Sequence, residues 1–154
     1  MWVYEFLHVL VGILWIGLLY FFNLVQVQSM PKMTEAGAAK PYTQIILPKA
    51  LFLFRHAALW TVITGLVYFM AGMGKVEGIP SPEIYMGMVL GIIMAGNVWF
   101  IIWPNQKKII AGELEGDALA KAKRHAFLAS RTNAWLSLPM LVGMVSASHG
   151  GLAF

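Results

Sequence analysis

The chain has 154 residues, of which 59% are hydrophobic and 12% charged, with a mean hydropathy of +0.70 and a formal net charge of +4. A soluble domain carries about twice that charged fraction, so the composition excludes an ordinary water-soluble globule and points to lipid as the solvent. Cysteine is absent, which excludes disulfides, thiolate metal sites, iron–sulfur clusters and covalently attached c-type haem.

Four stretches carry no Asp, Glu, Lys or Arg: Phe6–Pro31, His56–Gly74, Ile84–Gln106 and Thr132–Phe154. Each reaches the roughly 20 residues that one crossing needs, and a helix satisfies every backbone group within its own segment. They predict a single all-α transmembrane domain over residues 1–154, an integral membrane four-helix bundle with spans over about 2–27, 50–74, 84–105 and 130–152.

The first stretch is not a signal peptide, because it lacks a basic start, contains Glu5 and outruns a signal core. The connection after it, Gln28 to Lys49, holds Pro31, Gly37, Pro41 and Pro48, and reads as a loop with a helical turn around Thr34–Lys40. The second connection, Gly74 to Glu83, holds Gly78, Pro80 and Pro82 and reads as a tight turn. In the third stretch Gly87, Gly91 and Ala95 recur at every fourth position, the small-residue spacing that lets membrane helices approach. The third connection, Lys107 to Arg131, has no proline and is rich in Ala, Leu, Lys and Glu. It predicts a helical extension running into the fourth span.

Ten of the eleven basic residues flank the first and third connections, and only Lys75 lies in the second. That asymmetry places the first and third connections in the cytoplasm. It predicts an up-down-up-down chain with both termini outside, multi-pass in a bacterial inner membrane. Because the basic residues follow membrane sides rather than one soluble face, the pI near 9.5 is read as a topology signal, with the lipid bilayer and not nucleic acid as the partner.

The four histidines are the most informative side chains, since ionisable groups at membrane depth are rare and mostly functional. At about 1.5 Å per residue, His8 lies about 9 Å inside the start of the first helix and His149 about 7–8 Å inside the chain end. Two histidines on different helices thus reach a similar depth on the outer side, which suits axial ligation of a haem. Gly12, one turn from His8, leaves room for a porphyrin face. His56 and His125, each preceded by arginine, lie toward the cytoplasmic side, as interfacial residues or as a second ligand pair. Arg55 and Arg131 bind lipid phosphate or, in the sharper reading, haem propionates or an anionic substrate. Trp15 and Trp60 lie deeper than the other tryptophans, as core or as cofactor contacts. Asn97 and Asn133 need interhelical partners. The ten methionines are scattered and read as core fillers.

The run Leu7–Gly17, with His8 ahead of Trp15 and Gly17, resembles the first helix of the membrane module of bacterial membrane-bound urate oxidases. So do Ala57–Gly65, Asn97–Trp99 with Trp103–Gln106, and Arg131–Asn133 followed by Leu136–Met140. The first-helix pattern is also similar, more distantly, to haem-binding membrane protoporphyrinogen oxidases and copper-resistance membrane proteins. The resemblance implies a haem-associated membrane redox module and carries a ligand role onto His8 first and His149 next. The urate oxidases continue into a c-type cytochrome domain, which needs cysteine, so the resemblance alone does not carry urate oxidation over. The expectation is a b-type haem protein, with one or two haems, that passes electrons to a quinone or a cytochrome c. Its iron ligands are His8 and His149, its flanking residues Gly12, Trp15, Arg55 and Arg131, and its second-rank ligands His56 and His125. An oxidoreductase acting on urate or protoporphyrinogen, a copper-handling or assembly factor, and a homo-oligomer stay open.

Overall fold

The structure is a computed structural model that describes residues 2–72, 75–76 and 79–149. It is built from four long helices: α1 Trp2–Glu35, α2 Ala39–Met70, α3 Pro82–Ile110 and α4 Gly116–Ser148. The only strands among the described residues are a two-residue antiparallel pair, β1 Lys75–Val76 and β2 Ile79–Pro80, between α2 and α3. The expected all-α class holds. The ends of the second and fourth expected spans, 73–74 and 150–152, lie outside the described residues.

Helix ends follow local chemistry. The α3 start is a Ser81 cap whose side chain accepts the Ile84 N–H at 3.4 Å, with Pro82 in the first turn and Glu83 favourable to the helix dipole. α1 and α3 end in the same way. Gly37 and Gly112 each adopt φ +69°, and the amides that follow bond back to the last helical turn: Gly37 to Thr34 and Ala38 to Met33, Gly112 to Ile109 and Glu113 to Lys108. This closure needs a left-handed residue, which glycine supplies at no steric cost.

The first connection differs from the expected loop. α1 continues through Pro31 to Glu35 and α2 begins at Ala39, so only three residues separate them. Pro41 and Pro48 fall in the early turns of α2. Pro48 follows a π-helical turn over Tyr42–Ile46, and Pro104 follows another over Val98–Ile102. A proline ring clashes with the carbonyl four residues before it, and a widened turn at that place accommodates the ring. A third π-helical turn, Phe21–Gln26, interrupts α1. The third connection is helical as expected on both sides of a five-residue break at 111–115, where α3 ends and α4 begins.

α1 packs antiparallel on α2, and α3 antiparallel on α4. Gly12 faces Thr61 across the first pair, and Phe22 meets Phe54 edge-on with centroids 5.2 Å apart. In the second pair a Cβ on Gly143 would lie 2.6 Å from the Glu83 carbonyl oxygen and 3.0 Å from the Gly87 nitrogen. The small-residue stripe of α3 therefore serves close backbone approach. The core runs along the axis through Trp15, Leu19, Phe54, Ala58, Met94 and Val98, while Phe6, Ile13, Leu24, Phe100 and Trp135 face outward.

Among the described residues, three helices, α1 to α3, are long and apolar enough to cross a membrane. α4 carries the polar residues Asn133, Ser137 and Ser146, all of them buried.

Candidate functional site

His8 is held between α1 and α2. Its Nδ1 lies 3.0 Å from the Thr61 carbonyl oxygen and 3.4 Å from Thr64 Oγ1. A carbonyl can only accept, so Nδ1 carries the hydrogen, and in the neutral ring Nε2 keeps its lone pair. The approach depends on Gly65, one turn beyond Thr61: a Cβ there would lie 2.7 Å from His8 Cε1 and 3.0 Å from Nδ1. The imidazole thus fills the space where a side chain would otherwise stand.

Two recesses meet at this ring. One, of about 50 Å³, is lined by His8, Trp15, Gly65, Met88, Gly91, Met140 and Met144, among others. The other, of about 510 Å³, runs along the outer side of the ring past Glu5, Gly12, Trp15, Gly17, Met144 and Val145. Both are almost wholly apolar in their lining, and Trp15 belongs to both. Trp15 is 1% exposed, yet its Nε1–H has no hydrogen-bond partner. A buried donor left unpaired costs about 1–3 kcal/mol, so this N–H marks a place where an acceptor is missing.

His149 stands at the end of α4, exposed, with Nδ1 2.9 Å from the Val145 carbonyl oxygen of its own helix. Val145 lines the outer recess with His8, and His149 lies one turn further on. The residues that α4 itself presents to the His8 recess are Met140 and Met144. Gly12 lines the outer recess, where a Cβ would meet Thr61 only at an ordinary 3.9 Å.

The other candidates lie toward the opposite end. Arg55 stacks its guanidinium 3.7 Å over the Trp103 ring, with Nε and Nη1 buried and unpaired, and its carbonyl accepts the Trp99 N–H at 3.0 Å. Six residues separate it from Thr61, about 9 Å along the helix, so it belongs to a different level from His8. Arg131 is exposed, 5.9 Å over Phe127. His56 donates to its own Phe52 carbonyl at 2.7 Å and meets Trp99 edge-on. His125 is exposed in a shallow groove with Asn97 and Asn105. Among the described recesses none is lined by both His56 and His125. Trp60 is 52% exposed and faces outward.

Asn97 and Asn133 pair as expected. Asn97 Nδ2 donates to Asn133 Oδ1 at 2.8 Å, and Asn133 Nδ2 donates to the Met94 carbonyl at 2.9 Å. Among the described residues no group of three or more His, Cys, Asp or Glu side chains is placed to hold a metal ion. A haem needs only one or two ligating side chains, so the donor set to weigh is the His8 imidazole, its Nε2 unprotonated in the neutral ring, and the thioethers of Met140 and Met144 that line the same recesses. That set fits a haem, since His with His or with Met is an axial pair that haem iron takes.

Residues 80–154 match the family model described as urate oxidase N-terminal. Over that stretch the resemblance drawn from Asn97–Trp99, Trp103–Gln106 and Arg131–Met140 is borne out, whereas the Leu7–Gly17 and Ala57–Gly65 runs precede the matched residues. No curated protein and no solved structure matches the chain.

Proposed function

We propose that this chain is a b-type haem protein of a bacterial inner membrane that passes electrons, with His8 as its primary axial ligand. The observation that supports this most is the His8 ring itself, whose Nδ1–H is committed to the Thr61 carbonyl so that Nε2 is oriented for iron. A backbone carbonyl behind a ligating histidine fixes the tautomer and raises the basicity of the ligand. On α4, His149, Met140 or Met144 would supply the second ligand. Gly12 and Trp15 would flank the group. Bound haem would supply a one-electron carrier. What the chain does is hold the ring, exclude water with an apolar lining and leave the outer recess open to a quinone or a cytochrome c. All four helices cross in this reading, with both termini outside. The match to the urate oxidase N-terminal family supports a redox module and makes urate the first substrate to try.

The test is a visible spectrum of detergent-purified protein supplied with haem, oxidised and reduced, with haem counted per chain. The expected result is a low-spin six-coordinate b-type spectrum that His8→Ala abolishes or converts to high spin. Failure of the wild-type protein to retain haem, or an unchanged spectrum in His8→Ala, refutes the assignment.

A second reading, a copper(I) site, is favoured by one observation: three thioethers, Met88, Met140 and Met144, line the small recess with His8. Soft thioethers with imidazole select copper(I). A colourless protein that binds one copper(I) per chain, and loses it on His8→Ala, would decide for that reading.

A further inference from the structure

The outer recess beside His8 is an elongated groove. One bank is a single stripe of α1, Glu5, Val9, Ile13 and Gly17, spaced four residues apart and all exposed. The other bank is Leu141 and Val145 of α4. Residues four apart share a helix face, so the groove follows α1 from Glu5 to Gly17, about 18 Å at 1.5 Å per residue. Its volume of about 510 Å³ falls within the roughly 300–1,000 Å³ of common ligand pockets.

The two ends differ in chemistry. Glu5 supplies the one carboxylate of the lining, and the Tyr68 hydroxyl of α2 donates to it. A carboxylate accepts up to about four hydrogen bonds, so it keeps room for a donor from a ligand. His8 lies three residues on, on the same helix face. Beyond it the walls are apolar, and the groove ends at Gly17, where a Cβ would meet nothing within 4 Å.

The opening decides the kind of partner. Val9, Ile13 and Val145 are exposed and apolar, so in the four-span reading the long side of the groove faces hydrocarbon. A water-soluble cytochrome c has no access there, and an anionic molecule would meet like charge at Glu5. What fits is a molecule dissolved in the bilayer, with a donor-bearing head and an apolar chain of about 18 Å. We propose that the outer recess binds a lipid-soluble hydroquinone, its O–H donating to the Glu5 carboxylate and its chain lying along α1 to Gly17. The proposal rests on the electron-passing reading for its use, a reductant held one helical turn from His8, and not for the binding itself.

The test uses 2-heptyl-4-hydroxyquinoline N-oxide as the probe, a hydroquinone analogue with a ring O–H and an alkyl tail. Its fluorescence is followed while the full chain, free of haem, is titrated into it in detergent. The O-methyl ether of the probe is the control that keeps the tail and lacks the donor. The expected result is saturable quenching at one probe per chain. The ether, and the probe against Glu5→Gln, should each bind about tenfold more weakly, since a charge-assisted hydrogen bond is lost or reduced to a neutral one. Gly17→Leu should abolish binding, because a leucine on a helix leans back toward the N-terminus, into the groove, and the open space at Gly17 accepts it. Absence of saturable binding by the wild-type chain would mean that lipid or detergent chains alone cover the groove, and overturns the proposal. So does equal binding of the ether, or an affinity unchanged in Glu5→Gln or Gly17→Leu. The ether and Glu5→Gln, at an exposed position, decide the matter even where Gly17→Leu does not fold. Titration without haem keeps the outcome apart from the test of His8. A chain that retains haem and leaves the probe unbound refutes the hydroquinone site alone, and one that binds the probe but never retains haem refutes the ligand role of His8 alone.

Discussion

Gly65→Ala tests whether the His8 ring is held as described, independently of any cofactor. The new Cβ would stand 2.7 Å from His8 Cε1 and 3.0 Å from Nδ1, whereas carbon atoms in contact prefer about 3.5–4.0 Å. The ring must retreat by about 1 Å, which stretches the 3.0 Å bond to the Thr61 carbonyl past the hydrogen-bonding range. Overpacking costs about 1–3 kcal/mol and the lost bond about 0.5–1.5 kcal/mol. Against this, alanine in a helix interior gains about 1 kcal/mol over glycine. The net effect is a loss of about 2 kcal/mol, from the midpoints of those ranges. In a His8→Ala background the obstacle is gone and only the helical gain of about 1 kcal/mol remains. The two substitutions should therefore couple by about 3 kcal/mol, well outside the scatter of independent sites. Equilibrium unfolding of the four proteins of this cycle, by denaturing detergent or heat, measures it. Equal effects of Gly65→Ala in both backgrounds would refute the contact, and with it the oriented Nε2 on which the ligand assignment rests.

Asn133→Ala should destabilise the chain by about 1–3 kcal/mol, because Asn97 Nδ2 and the Met94 carbonyl both lose a partner in an apolar interior; the same unfolding assay reads it, and a change of less than about 0.5 kcal/mol would contradict the bonding. Ala126→Pro should cost about 3 kcal/mol and reduce helix content by circular dichroism, since it breaks the interior of α4, whereas Leu119→Pro, in the first turn, should cost far less. Topology reporters fused before Trp2 and after the last residue should both report an extracytoplasmic side, and opposite sides would mean that one helix does not cross.

The parts of the fold legible in the sequence are those set by hydrophobicity and by short-range chemistry. The charge-free runs gave all four helices, and Ser81–Pro82–Glu83 marked the start of α3. The 28–49 connection reads as a loop because Pro31, Gly37, Pro41 and Pro48 are all residues that break helices. Pro41 stands in the first turn of α2, where a missing N–H costs little, Pro48 is accommodated by the π-helical turn before it, and the real break rests on the left-handed Gly37. At the site, His8 was visible as a lone imidazole in an apolar run, but its partners Thr61, Gly65 and Met144 lie far along the chain, and no spacing rule joins them. Asn23 was overlooked, although an asparagine inside Phe21–Phe22–Asn23–Leu24–Val25 is itself a signal that a polar group has an inward partner. The three π-helical turns leave no reading in composition, because they add a residue to a turn without changing its character.

α4 is where hydropathy and packing disagree, and the disagreement has a physical source. A hydropathy average counts a side chain equally whether it meets lipid or protein. In α4 the polar residues meet protein: Asn133 bonds to α3, Ser137 Oγ lies 2.8 Å from the Tyr20 hydroxyl of α1, and Ser130 receives the Asn23 amide. The outward positions are Trp135, Leu138, Val142 and Val145, all exposed and apolar. Each of these inward polar groups is satisfied within the chain, so it adds little to the cost of burial, and in the proposed reading, in which α4 crosses, the outward positions would meet lipid. The long side chain of Arg131 would then reach the headgroups. A helix of this kind needs its neighbours before it can enter hydrocarbon, because alone it would expose Asn133 and Ser137 to lipid. α4 should thus insert by docking on α3, along the close Gly87–Gly143 approach, and its stability in the membrane should depend on that contact far more than the stability of α1 depends on α2.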